Sequence, residues 1–367
     1  MTEEAPARRT GRLEFLDAVR GAAAIVVATS HGAEVLFAGF RDWQADWGPP
    51  GRAGVCAFFL VSGFVIPISI ERGGGLREFG VGRGARLYPA YWLSLILILV
   101  VSTVHADAIP GDFRDGLPWS AVVNATMLQE FVGVPHAIGL YYTLTIELVW
   151  YAIVAVLFAV GLLHHTERLA WAALAGLAVV GLTVPLAADR HAPFSTGFYL
   201  ATMFIGTACA RYTAGTLPAR RLAALIGGAA LVAVVGAWAN YERVPGPSAT
   251  DAAFGLVPAV LPWFVAYSAF LLALRFRTRR YPRALLALGL VSYSVYLLHP
   301  VVLPFVDGGA VEPWLGLGLL LVVTVLAATL SYRLVERPGL ELGRRWRGRI
   351  RGEAAPADAG AATVPGP

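Results

Sequence analysis

Residues 15–38 read FLDAVRGAAAIVVATSHGAEVLFA, and this stretch decides the class of fold. It is long and apolar enough to cross a bilayer as one helix, since about 20 such residues span the hydrocarbon core. It also carries Arg20 and His31, and an ionisable group inside a membrane helix is rare unless it serves an ion path, a proton relay or a catalytic site. Eleven helical steps place the two side chains within roughly 20° of one face, about 16 Å apart along the axis. We interpret them, with Asp17 and Glu34, as a polar stripe; the alternative is a snorkelling arginine and a histidine hydrogen-bonded to a neighbouring helix.

The composition of the whole chain is typical of an integral membrane protein. Of its 367 residues, 57% are hydrophobic and 14% are charged, whereas soluble domains carry about 25% charged residues. The fold class we predict is all-α: a polytopic membrane protein with ten transmembrane helices and both termini in the cytoplasm. The ten apolar segments are 15–38, 53–71, 87–105, 141–163, 169–187, 196–212, 221–239, 255–274, 284–306 and 313–335.

The distribution of positive charge supports this topology independently. All 29 basic residues are arginines, and with a cytoplasmic N-terminus most of them fall on the inner side, as the positive-inside rule requires. The outer segments hold only Arg41, Arg52, Arg114, Arg190 and Arg243. The basic charge is therefore explained by topology and by contact with the inner leaflet of the lipid bilayer, and no nucleic-acid partner is expected.

The chain divides into three regions by composition. Residues 1–14 are predicted to be a cytoplasmic arm, 15–338 a single membrane domain, and 339–367 a basic then disordered cytoplasmic tail. No cleavable signal peptide and no internal repeat is visible, and the lack of a repeat weakens the case for an inverted-repeat transporter. Neither cysteine predicts a disulfide, and no group of side chains has the spacing of a metal site.

Two arginines open the third apolar segment from the inner side. Arg83 and Arg86 are three residues apart and share one helix face. Guanidinium groups bind phosphate in a bidentate manner, so these two side chains and Arg20 are candidates for an anion clamp at the cytoplasmic mouth of the bundle. The alternative is that they serve only as positive-inside anchors.

Further polar side chains lie in the fourth, ninth and second segments. Glu147 falls about 9 Å from the outer end of its helix, where we expect it to pair with His31 and fix that ring's tautomer; the alternative is a structural bond to an arginine or tyrosine. The ninth segment carries Tyr296 and, one turn later, His299, while the second carries Ser62. Each is a weak signal alone, since packing also explains small residues in membrane helices.

The longest outer loop covers residues 106–140 and is rich in acidic and aromatic side chains. A helix at the outer interface is predicted within 118–131. Long loops with such features tend to be lids or binding elements. The side chains suit a polyhydroxy acceptor such as a sugar, and they suit other ligands as well.

Six short motifs, in one order along the chain, are similar to those of a known family. In these motifs the chain resembles the acyltransferase-3 family of integral membrane O-acyltransferases, which acylate bacterial surface sugars and some antibiotics. The resemblance covers about residues 13–338. The motifs are Leu16–Gly21 with His31, Gly54–Phe64, Arg83–Pro89, Tyr142–Glu147, Ser292–His299 and Tyr332–Pro338.

The resemblance implies an enzyme of the bacterial inner membrane, which transfers an acyl group, usually acetyl, from cytoplasmic acyl-CoA to a hydroxyl of an outer acceptor, most simply a cell-envelope sugar. Acyl-CoA is then a co-substrate, and no other cofactor is expected. The family pattern implies that His31 and Glu147 are catalytic and that Arg20, Arg83 and Arg86 bind the donor. We add Ser62, Tyr296 and His299 as candidate oxyanion or acceptor contacts.

One position departs from the family pattern. The second-segment motif usually reads Gly-Val-Asp, and Cys56 stands here in place of the aspartate. Two other functions also fit the sequence. A transporter or flippase for a lipid-linked sugar needs the same charged groups in the membrane but no acyl-CoA, and acylation of a small secondary metabolite needs the same chemistry with a different acceptor.

Overall fold

A computed structural model describes residues 13–244, 255–306 and 311–352 of the chain. Within these ranges the secondary structure is entirely helical, which confirms the predicted fold class. Most of the predicted N-terminal arm and residues 353–367 of the predicted tail lie outside the described residues. The helices are α1 (Glu14–Leu36), α2 (Phe40–Trp47), α3 (Pro50–Arg72), α4 (Leu76–Val101), α5 (Gly111–Asp115), α6 (Trp119–Ala125), α7 (Tyr142–Ala159), α8 (Thr166–Ala188), α9 (Phe194–Thr213), α10 (Ala219–Ala237), α11 (Leu256–Arg275), α12 (Arg283–Val302), α13 (Pro313–Ser331) and α14 (Arg337–Ile350).

Eight helices of the described chain are long and apolar enough to cross a membrane, and these begin at Pro50, Leu76, Gly139, Thr166, Ala219, Leu256, Arg283 and Pro313. The other two predicted spans are α1 and α9, which have 23 and 20 residues and pack inside the same bundle. Polar side chains such as Arg20 and His31 lower the hydropathy of α1. The chain is thus a multi-pass membrane protein, while ten crossings and two cytoplasmic termini stay predictions.

Glycines bring α1 into backbone contact with its two main neighbours. A Cβ atom on Gly54 of α3 would lie 2.8 Å from the carbonyl oxygen of Ala23, and one on Gly289 of α12 would lie 2.1 Å from that of Asp17. Small residues allow this close approach, which supplies the dispersion energy that holds membrane helices together. The polar stripe of α1 is therefore held rigidly between α3 and α12.

The loop between α4 and α7, which is predicted to lie on the outer side, turns back along α4. Tyr88 and Tyr91 of α4 donate hydrogen bonds to the carbonyl oxygens of Thr126 and Asn124, at 3.0 and 2.7 Å. Tyr88 lies thirteen residues before the end of α4, which corresponds to about 20 Å of helix. Short helix α6 confirms a helical part of the predicted 118–131 segment, and the bonds from α4 satisfy backbone groups beside the bundle, as a membrane environment demands.

The stretch after α13 forms a further helix where the sequence predicts a tail. One turn of π-helix joins α13 to α14, and α14 then packs on the first half of α4. A Cβ atom on Gly339 would lie 2.7 Å from Cγ of Pro89, and one on Gly343 would lie 2.4 Å from Cβ of Ala85. The four-residue spacing of these glycines puts both on one face of α14, so the helix can approach α4 closely.

Candidate active site

A cavity of about 120 Å³ opens between α1, α3, α4, α7 and α12. Six of the eight side chains predicted for the site line it together. The remaining walls are largely apolar and aromatic, and they include Phe58, Phe59 and Tyr293. The six predicted residues in its lining are Arg20, Ser62, Arg83, Arg86, Glu147 and Tyr296.

The three predicted arginines converge at this cavity and are held there by aromatic rings and carboxylates. The Arg83 guanidinium lies 5.8 Å from the ring centroids of both Phe79 and Tyr151. The Arg20 guanidinium lies within electrostatic range of Arg86, which adds repulsion, and of Glu147, which opposes it. A cluster of positive charge against an aromatic wall is suited to an anionic ligand.

Glu336 is a site residue that the sequence reasoning missed. Its side chain is fully buried and forms an ion pair with Arg86, which is itself 19% exposed. Its second carboxylate oxygen accepts a hydrogen bond of 2.9 Å from Ser294 of α12. Arg86 therefore has a structural partner in the bundle, and of the three arginines it is the one most fully committed to the protein. The signal in the sequence was the Tyr332–Pro338 motif, to which no role was assigned.

The expected pairing of Glu147 with His31 is wrong. Glu147 instead accepts hydrogen bonds from Tyr151 at 2.6 Å and from Ser62 at 3.4 Å, both at Oε1. Glu34, the other carboxylate on the polar stripe, lies 3.6 Å from Arg41. The reason is the rotation of α7, which turns Glu147 toward the arginine cavity. Glu147 therefore balances positive charge in the cavity.

His31 has a histidine as its partner. Its Nδ1 atom lies 3.1 Å from Nε2 of His299, and the two rings are nearly parallel, with centroids 5.2 Å apart. His299 is fully buried, while His31 is half-buried. Nδ1 of His299 in turn lies 3.2 Å from the carbonyl oxygen of Val295, one turn earlier in α12.

These contacts fix the tautomers of both rings in the neutral pair. A carbonyl oxygen only accepts, so Nδ1 of His299 carries its proton and Nε2 of His299 is left as an acceptor. Nδ1 of His31 must then be the donor between the rings, and the carbonyl oxygen of Val27 also faces His31 as an acceptor. Nε2 of His31 consequently carries no proton and has no hydrogen-bond partner among residues 13–244, 255–306 and 311–352, which is the form that a general base requires.

This arrangement limits the three side chains predicted as oxyanion or acceptor contacts. Both ring nitrogens of His299 are engaged, so His299 has no N–H left to offer an oxyanion. The hydroxyl groups of Tyr296 and Thr143 are hydrogen-bonded at 2.7 Å, and the Tyr296 ring lies 6.0 Å from that of His299. Tyr296 thus forms the boundary between the arginine cavity and the histidine pair, whereas Ser62 serves Glu147.

Cys56 of α3 belongs to the hydrophobic core, but polar side chains approach it. Its side chain is fully buried and lies next to Thr202, within electrostatic range of Arg52. Thr202 is also hydrogen-bonded to the Tyr267 hydroxyl, at 2.9 Å. Arg52, which the sequence places in an outer segment, is in the first turn of α3 and lies 5.5 Å from the Trp263 ring centroid. A few polar groups therefore lie near the position where the family pattern has an aspartate.

The helical bundle and its polar site agree with the comparison to known proteins. Residues 13–333 match the family model of the acyltransferase-3 group, described as an acyltransferase domain. The chain belongs to this family. It is similar to the acyltransferase MdmB of Streptomyces mycarofaciens, with 26% identity over 379 residues, covering 92% of this chain and 94% of the relative. No solved structure matches the chain significantly. The protein is a membrane O-acyltransferase, which acts on an acyl donor and a hydroxyl acceptor.

Proposed function

We propose that this acyltransferase transfers an acetyl group from cytoplasmic acyl-CoA to a hydroxyl of a cell-envelope sugar in the bacterial inner membrane, with His31 as the general base. The observation that carries the proposal is the hydrogen-bonded series from Val295 through His299 to His31, next to a cavity lined by three arginines. In a transporter such a histidine would serve proton coupling, and the match to an acyltransferase family favours the transferase. A transferase needs that nitrogen to accept a proton.

The donor enters from the cytoplasmic side in this proposal. Its anionic end is attracted by Arg20 and Arg83, while its uncharged acyl arm lies against the aromatic walls of the cavity. Tyr296 ends the cavity, and His299 follows one helical turn later, which is about 5 Å along α12. The thioester therefore has only a short step to make between the cavity and the histidine pair.

The chemistry at His31 balances simply. The acceptor hydroxyl loses its proton to Nε2 of His31 as its oxygen attacks the thioester carbonyl. The new C–O bond forms and the C–S bond breaks. The departing sulfur then takes the proton from His31. Protonated His31 strengthens its Nδ1–H bond to His299, because a charge-assisted hydrogen bond is stronger than a neutral one. Transfer through a transient acyl-histidine uses the same Nε2 atom.

The test is acetyl-CoA turnover in membranes that contain the wild-type protein or His31→Gln, with and without an extract of envelope sugars. Loss of general-base catalysis should lower CoA release by about 10²–10⁴-fold. His164→Gln, in the loop between α7 and α8, is the matched control and should retain activity. Acetyl label recovered in the sugar extract supports the proposed acceptor. Label recovered only in a small secreted product would show that the acceptor is a secondary metabolite. Movement of a lipid-linked sugar without acetyl-CoA would contradict the transferase mechanism.

A further inference from the structure

A second group of arginines lies where α14 crosses the first half of α4. A Cβ atom on Gly82 would lie 3.5 Å from Nη1 of Arg347, so the Arg347 side chain rests directly on the α4 backbone. Arg83 is the next residue of α4, and its charge acts on Arg347. The two arginines, one from each helix, therefore lie within electrostatic range of each other at this crossing.

The donor groups of this pair are not fully used by the protein. The Nε atoms of Arg83 and Arg347 are both buried and lack a hydrogen-bond partner among residues 13–244, 255–306 and 311–352. The other charged groups that act on Arg347 are Arg344 and Arg351, which are also positive. Repulsion between like charges and buried N–H groups without an acceptor both lower the stability of the fold, unless an anion binds between them.

The packing of α14 on α4 determines where the Arg347 side chain lies. Gly339, Gly343 and Arg347 recur every four residues and form the face of α14 that lies on α4. By contrast, Arg337 and Arg344 share the carboxylate of Glu341, at 3.0 and 3.7 Å. Arg337 and Arg344 thus have a carboxylate partner on their own helix, while the charge nearest to Arg347 from another helix is that of Arg83.

There is space for a ligand beside Arg347. A groove of about 350 Å³ runs along α14, and ligand pockets begin near this size. Three arginines and one carboxylate are among the side chains that line it, which are Tyr332, Arg337, Leu340, Glu341, Arg344 and Arg347. Arg83 belongs both to the pair and to the lining of the arginine cavity. A ligand held by both arginines would therefore lie next to the arginine cavity.

We propose that Arg83 and Arg347 form a phosphate-binding site at the entrance of the donor path, which takes a phosphate group of the nucleotide end of acyl-CoA. The inference rests on the proposed function, because acyl-CoA is the donor there. Two guanidinium groups from different helices match a phosphate that carries two negative charges. An anionic lipid headgroup has the same chemistry, so the experiment must separate the two sources.

The experiment measures the binding of radiolabelled acetyl-CoA to the full-length chain in nanodiscs of phosphatidylcholine. Arg347→Gln should raise the Kd about ten- to hundredfold, since a hydrogen bond to a charged group has that effect on affinity. The Kd of Arg347→Lys should lie between those of the wild type and Arg347→Gln, because lysine keeps the charge but lacks the planar guanidinium group. Arg349→Gln is the matched control: it removes the same charge from an exposed position two residues away and should leave the Kd unchanged.

Three other outcomes would each overturn the inference for a distinct reason. Failure of the wild-type chain to bind acetyl-CoA would show that the proposed donor itself is wrong. Equal Kd values for wild type and Arg347→Gln would show that acetyl-CoA binds without the help of Arg347, which rejects the proposed site on α14. Equal Kd values together with weaker retention of phosphatidylglycerol by Arg347→Gln, measured in nanodiscs that contain this lipid, would assign the arginine pair to a lipid headgroup.

Discussion

Replacing Glu336 by glutamine removes the carboxylate that neutralises Arg86 inside the bundle. The Glu336 side chain is 0% exposed and that of Arg86 is 19% exposed, so water screens the orphaned charge poorly. Removing one partner of a buried ion pair typically costs 3–5 kcal/mol. Glutamine keeps the shape and can still accept the hydrogen bond from Ser294, so we expect a loss near the lower limit, about 3 kcal/mol.

The assay is unfolding in mixed micelles by titration with dodecyl sulfate, followed by the fluorescence of the ten tryptophans. Glu341→Gln is the control, one turn into the adjacent helix α14, where an exposed pair with Arg337 at 3.0 Å should contribute less than about 1 kcal/mol. The double variant Arg86→Gln/Glu336→Gln should be less destabilised than the sum of the single variants. Equal losses for Glu336→Gln and Glu341→Gln would refute the reasoning.

Three further changes test other parts of the structure. Cys56→Ala should keep acyl transfer within a few-fold of wild type, because the fully buried thiol is not the nucleophile; loss of turnover in a folded variant would contradict this. Gly63→Ala should destabilise the bundle by about 1–3 kcal/mol through overpacking, because its Cβ would lie 2.0 Å from the Met203 carbonyl oxygen. The control is Gly80→Ala, whose Cβ meets nothing within 4 Å and which should be neutral or stabilising. Equal unfolding curves for the two variants would contradict this prediction. Arg83→Gln should raise the KM for acetyl-CoA more than it lowers kcat, and steady-state kinetics that show an unchanged KM would exclude Arg83 from donor binding.

Much of the architecture is present in the sequence because the bilayer imposes simple requirements. Long apolar runs predict the helices, and the motifs predict that arginines from α1 and α4 meet. These expectations depend on properties along each helix, such as length, rise and spacing. The structure confirms the helical fold and places Arg20, Arg83 and Arg86 in the lining of one cavity, while their role in donor binding stays a prediction.

Side-chain pairs between different helices are harder to predict from the sequence, because they depend on how each helix is rotated against its neighbours. Glu147 was assigned to His31 on depth alone, yet the rotation of α7 turns it to Tyr151. His299 appeared only as a weak signal, since nothing in a single sequence shows that α1 and α12 face each other at that level. The depth of a side chain follows from its position along one helix, whereas its orientation depends on the packing of several helices.

The α14 helix shows a signal that was present and not used. Gly339 and Gly343 form a small-residue pair four positions apart, which is the pattern of close helix contact in membranes. A basic composition led the same stretch to be predicted as a tail. Recognition of the glycine pair would have predicted the contact with α4 and, with it, the location of Arg347.

The most direct test of the central claim is a double-mutant cycle on the two histidines. CoA release from acetyl-CoA is measured at saturating acceptor for wild type, His31→Ala, His299→Leu and the double variant, each checked for folding. If His299 acts only by orienting His31, His299→Leu lowers kcat, and the double variant is no slower than His31→Ala. Full activity in His31→Ala, or independent effects of the two substitutions that multiply in the double variant, would contradict the account.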